Sequence, residues 1–107
     1  MNTQFKKGVL EICVLAKVYI KDMYGYEIVQ NLSEDIEVNE GTIYPILRRL
    51  TKDRFFETYL QESNEGPPRK YYKITEIGKA ELFKSLGLWK EFSKSVNNII
   101  KEVFVDD

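Results

Sequence analysis

The spacing of apolar and polar positions changes repeatedly along the chain, and each change marks an element. Residues 5–20 (FKKGVLEICVLAKVYI) are apolar almost all the way round a helical projection, with Lys6, Lys7, Glu11 and Lys17 as the polar interruptions after Phe5. A helix apolar on every side is buried on more than one side, and the run is long for a buried strand. In a chain of 107 residues, one side of this helix is expected to meet its own core and another a second subunit. Residues 22–26 (DMYGY) break the pattern: Gly25 permits a turn or helix start, and Asp22 is placed to cap. A second helix follows, with Ile28, Leu32 and Ile36 spaced by four on one face. The acidic SEDIEVNE segment reads as a connection. Asn39 then offers an N-cap for a third helix, with Glu40 in its first turn favoured by the helix dipole.

After Arg54 the period shortens. FFETYLQE and KYYKIT are rich in aromatic and β-branched residues and roughly alternate, which predicts two strands. The SNEGPPR cluster between them predicts a hairpin loop too long for a two-residue turn. Thr75 is an N-cap for a last helix, with Ile74 stapling its start. In that helix Leu82, Leu86, Trp89, Ser93, Val96, Ile100 and Val103 follow alternating spacings of four and three, with Phe92 beside Ser93. This is the a/d seam of a helix that packs lengthwise on another. Packing onto its own domain absorbs the first turns, and a two-fold dimer accounts for the whole length. The order of elements predicts a mainly α fold with a β wing: a winged helix-turn-helix domain over 1–75 and a C-terminal dimerisation helix over 76–107.

The third helix carries the chemistry. Advancing about 100° per residue gathers Ile43, Ile46, Leu47 and Leu50 on one face. Gly41, Pro45, Arg48, Arg49 and Lys52 gather opposite, with Thr42 and Tyr44 at the borders. A helix interior loses about 1 kcal/mol to glycine and about 3 to proline, relative to alanine. Gly41 removes a side chain where a backbone or base must come close. Pro45 lacks a hydrogen bond that would have gone to the Gly41 carbonyl, in the first turn, where the loss matters least. A major groove about 12 Å wide admits one such helix. Free N–H groups at the helix start attract phosphate, and Arg48, Arg49, Lys52 and Arg54 reach phosphates or guanine edges. Arg69 and Lys70, following the GPP of the hairpin, are expected to meet a neighbouring backbone or minor groove. The alternatives are a solvated helix face, or a winged-helix module that binds protein rather than specific DNA.

Composition narrows the classes. With 16 Lys and Arg against 17 Asp and Glu, the net charge of −1 excludes a uniformly basic nucleic-acid binder. Residues 42–56 nevertheless hold four cations against Asp53 alone, a local +3. There is no histidine, no paired-carboxylate motif and no glycine-rich phosphate loop after a strand, so no catalytic residue, metal site or cofactor is expected. The single cysteine, Cys13, sits among Ile12, Val14 and Leu15 as a small core residue; alone it makes neither an internal disulfide nor a Cys-rich zinc site. No apolar run approaches the roughly 18 residues of a membrane span. The basic-then-apolar start is interrupted by Glu11 and Lys17 and followed by no small-residue cleavage site. The expectation is a cytoplasmic protein with no membrane partner.

The motifs YGYEI (24–28), EGTIYPILRRL (40–50) and GPPRKYYKITEIGK (66–79), with a terminal tryptophan-bearing helix, resemble the PadR family of transcriptional regulators, in its short form with one C-terminal helix. The resemblance implies a dimeric winged-helix repressor that binds a pseudo-palindromic DNA operator. It implies that Gly41, Thr42, Tyr44 and Arg48 or Arg49 meet the major groove, and that Tyr26 supports or contacts the DNA backbone. Many relatives carry histidine where this chain has Tyr24. Relatives also respond to phenolic acids or flat aromatic drugs. By resemblance Trp89 would stack such an effector at the dimer interface, with Leu86, Phe92 and Ser93 lining the site and facing Leu10 and Val14 of the first helix. Val9, Leu82, Leu86, Trp89, Val96, Ile100 and Val103 are the expected dimer contacts.

Overall fold

The computed structural model describes residues 3–105, with side-chain surroundings from Lys6 onward, so the environment of Phe5 lies outside the described residues. The elements are α1 (Thr3–Ile20), β1 (Met23–Tyr24), α2 (Gly25–Ser33), α3 (Glu40–Lys52), β2 (Phe56–Ser63), β3 (Gly66–Ile74) and α4 (Glu76–Ile100), followed by a 3₁₀ turn (Lys101–Phe104). The strands form one antiparallel sheet in the order β1-β3-β2. The fold is therefore mainly helical with a small three-stranded wing.

The core forms where the apolar faces meet. Leu10, Val14, Leu15 and Val18 of α1 pack with Ile28, Val29 and Leu32 of α2 and with Ile43, Ile46, Leu47 and Leu50 of α3. Met23, Phe56, Tyr72 and Ile74 close it from the sheet, and Leu82 closes it from α4. The core therefore extends past residue 75 into the first turns of α4. Cys13 is half-buried against this core, and burial raises its thiol pKa against the lowering effect of Lys17.

The polar caps predicted at Asn39 and Thr75 form. The Asn39 side chain accepts from the Thr42 N–H at 3.1 Å, and the Thr75 hydroxyl accepts from the Gly78 N–H at 3.1 Å. Thr75 also donates to the Arg54 carbonyl at 2.7 Å, tying the start of α4 to the end of α3. Gly78 is required there, because a Cβ would stand 2.2 Å from the Phe55 carbonyl oxygen. α3 ends in a Schellman motif: Phe55 N–H bonds to Leu50 O and Arg54 N–H to Thr51 O, with Arg54 left-handed at φ 67°.

Three local expectations are corrected. Residues 23–24 form a strand, pairing Met23 with Tyr72 and Tyr24 with Tyr71; two residues carry no readable alternation. Asp22 caps no helix and instead accepts from the Tyr59 hydroxyl at 2.8 Å, while α2 starts behind Tyr24 with no side-chain cap. Ile36 lies beyond α2 and packs on the core from the connection. The wing turn is also tighter than its composition predicts. Ser63 pairs with Gly66, leaving Asn64 and Glu65 as a two-residue turn, and a bulge between Gln61 and Ser63 takes up Pro67 and Pro68. Prolines are tolerated at bulges because no ladder N–H is needed there.

Candidate nucleic-acid interface

The two faces of α3 separate as its pattern predicts. Ile43, Ile46, Leu47 and Leu50 are sealed in the core, whereas Gly41, Pro45, Arg48 and Lys52 are exposed and Thr42 and Tyr44 are partly exposed. The helix runs unbroken through Pro45. A Cβ at Gly41 would meet only the Asn39 side-chain oxygen, at 3.2 Å, so no core packing excludes a side chain at this position. Thr42 is held by Asn39 through both its N–H and its hydroxyl. Tyr26, in the first turn of α2, is exposed and lines a cleft with Gln30, Asn39 and Gly41 between α2 and the start of α3.

Arg49 departs from the expected face. It is ion-paired with Glu11 of α1, and the two side chains retain 39% and 27% exposure. One residue step from Arg48 turns the side chain by about 100°, enough to aim it at α1 instead of outward. It therefore joins α3 to α1 and leaves the outward cationic set.

The wing divides its cations in the same way. On β3, Lys70 shares the face of Tyr72 and Ile74, the side that packs on the helices; its Nζ lies 6.0 Å from the centre of the Tyr72 ring. Leu60 pairs with Lys70 on β2 and is exposed. The Tyr72 phenol is pushed above its ordinary pKa by burial and by Tyr44, against the lowering effect of Arg48, so Tyr44, Arg48 and Tyr72 converge where α3 meets the wing. Burial and then Glu40 raise Tyr44 likewise. Arg69 alternates to the opposite face: its guanidinium stacks 4.5 Å from the centre of the Tyr24 ring and pairs with Glu65 at 3.7 Å. Tyr24, Tyr71 and Tyr59 stand side by side on that outer face, with ring centres 5.5 and 5.6 Å apart. Strand alternation thus sets Arg69 and Lys70 on opposite faces of β3.

The candidate effector and dimer residues divide too. Leu10 and Val14, at 1% and 0% exposure, belong to the subunit's own core. Leu82, at 1%, is likewise core and not free for a partner. Leu86 is partly buried against the core, and Val9 is partly buried on α1. Further along α4, Trp89, Phe92, Ser93, Val96 and Asn97 line an open cleft. Asn97 escaped the sequence reading, although it follows Ser93 by one helical turn. Ile99, Ile100 and Val103 continue an exposed apolar stripe. No helix among the described residues is long and apolar enough to cross a membrane.

The chain matches the transcriptional regulator PadR-like family over residues 14–84. It is similar to a PadR-like transcriptional regulator from Bacillus cereus, with a TM-score of 0.83 and 40% identity over 92% of this chain and 97% of that one. A transcriptional regulator from Streptococcus gives a TM-score of 0.81 and 40% identity over 92% and 98%. An uncharacterized protein from Lysinibacillus sphaericus is 35% identical over 95 residues, 85% of this chain and 87% of its own.

Proposed function

The chain belongs to the PadR-like family of transcriptional regulators, and from that premise we propose that it acts in the cytoplasm as a homodimeric, sequence-specific repressor. As a member of a regulator family it is not an enzyme. The winged helix-turn-helix core lays α3 in the major groove. Gly41, Thr42 and Pro45 approach the base edges, Tyr44 and Arg48 contact bases or backbone, and Lys52, Lys70 and Tyr26 hold phosphate. The observation that carries this reading is the division of α3: one side is sealed in the core, while the other exposes Arg48 and Lys52, with Arg48 close enough to Tyr72 of the wing to lower its pKa.

The exposed stripe along α4 supports the dimer. A two-fold interface using Trp89, Val96, Ile100 and Val103 covers apolar surface that the subunit leaves open. The dimer sets the separation of two recognition helices, and successive major grooves on one DNA face lie about 34 Å apart. The cleft at Trp89, Phe92, Ser93 and Val96 receives a flat aromatic effector. An effector that favours another separation weakens operator binding by population shift. Titration of such compounds quenches Trp89, the only tryptophan.

The test starts from duplexes selected out of a random-sequence pool. Selection is expected to return pseudo-palindromes whose binding weakens steeply as salt rises, because phosphate contacts release counterions. Failure to enrich any duplex, or affinity indifferent to salt, overturns the reading and leaves a protein-binding winged helix.

A further inference from the structure

We propose that Gly25 is a positioning residue for DNA recognition: its missing side chain seats the Tyr44 ring, which presents the Tyr44 hydroxyl to the DNA backbone. The inference rests on the assignment of α3 to the DNA face.

Gly25 is the first residue of α2 and is buried. It is not among the residues with positive φ, so its backbone does not require glycine. In a helix an alanine is ordinarily preferred over glycine. What a side chain there would meet is the end of the Tyr44 side chain, which would have to move aside. A Cβ at Gly25 would stand 2.6 Å from Tyr44 Cε1, 3.0 Å from its hydroxyl oxygen and 3.1 Å from Cζ. All three atoms belong to the phenol end of one ring, so α2 backbone rests directly against the part of Tyr44 that carries its polar group.

Tyr72 lies near the same ring, and Arg48 follows one turn later on α3. Tyr44 is therefore the joint at which the start of α2, the recognition helix and the wing meet. Among the described residues its hydroxyl has no hydrogen-bond partner, and the residue stays partly exposed. A phenol held from behind by backbone, with its hydroxyl unspent, meets a phosphate oxygen without first losing rotamer freedom. Adding one methyl group at position 25 displaces that phenol while leaving every cation of the interface in place.

The experiment is a double-variant cycle read by fluorescence anisotropy on a duplex selected for the wild type, with thermal midpoints measured alongside. Gly25→Ala is expected to weaken binding tenfold or more, and Tyr44→Phe, which keeps the ring but loses the hydroxyl, several-fold. In the Tyr44→Ala background the clash is absent, so Gly25→Ala should change affinity by less than twofold and leave the thermal midpoint no lower. This comparison stands even if Gly25→Ala alone folds poorly. Two results overturn the inference: unchanged affinity for folded Gly25→Ala, or an equal loss with and without the Tyr44 ring. Failure of the wild type to bind any duplex would be a different result, because it removes the proposed function itself.

Discussion

Arg48 and Arg49 are neighbours in sequence, yet the structure gives them opposite tasks, and that split can be measured. Arg48 is exposed on the outward side of α3, whereas Arg49 pairs with Glu11 of α1. Arg48→Ala removes an arginine free to reach guanine or phosphate. A well-placed arginine contact is worth about 1–3 kcal/mol, or roughly 5- to 150-fold in affinity. Its folded-state partners are few, so the thermal midpoint should hold. Arg49→Ala breaks an ion pair whose two side chains are 39% and 27% exposed. Pairs that open to solvent contribute about 0–1 kcal/mol, and partial burial of both groups places this one near the upper end. A domain of this size loses roughly 4–8 °C in midpoint per kcal/mol, so a fall of several degrees is expected. DNA affinity, corrected for the folded fraction, should stay within about threefold, less than the 1.4 kcal/mol of a tenfold change. Anisotropy on a selected duplex and thermal melting at one protein concentration read both quantities. Equal losses of affinity from the two variants would refute the division, as would a stable Arg49→Ala protein that no longer binds.

Other consequences are equally direct. Arg54 holds a left-handed φ of 67°, which ordinary residues adopt at a cost of about 1 kcal/mol; Arg54→Gly should raise stability by about 0.5–1 kcal/mol in urea denaturation, and a fall would contradict the strain. Aspartates at both Val96 and Ile100 should give monomers in sedimentation, and a persisting dimer would remove α4 as the interface. Tyr72 has its pKa raised by burial and by Tyr44, so its ionised form is disfavoured in the native state. Its contribution is whole below the ordinary tyrosine value of about 10 and is lost as pH rises through the raised native value. Tyr72→Phe should therefore flatten the alkaline loss of stability in urea titrations, and an unchanged slope would point to another group.

What could be read from sequence depended on how local the deciding interaction was. The caps at Asn39 and Thr75 and the buried row Ile43, Ile46, Leu47 and Leu50 are set by spacing within one helix, and they form as spaced. β1 left no trace because two residues show no period, and its existence depends on Tyr71 and Tyr72, almost fifty residues further on. The wing turn misled because proline suggested loop, whereas a bulge accommodates both prolines inside a strand. Arg49 resembled its neighbour until Glu11 was brought beside it by the packing of α1. Leu10 and Val14 were expected to face an effector, but a helix apolar on every side does not reveal which side its own core takes. The contact of Gly25 with Tyr44 joins two helices across the motif and was likewise invisible to spacing. Strand alternation could have separated Arg69 from Lys70 in advance, had the strand been extended back by one residue.

The central claim is that the outward face of α3 lies in a major groove, once for each subunit of a dimer. Methylation protection of guanine N7, an atom reached only from that groove, tests it most directly on a selected duplex. The account predicts two protected patches centred about 10 base pairs, or a small multiple of that spacing, apart. At a protein concentration near the wild-type Kd, both patches should weaken with Arg48→Ala. A protein that binds the duplex tightly yet leaves every guanine N7 open to methylation would contradict it.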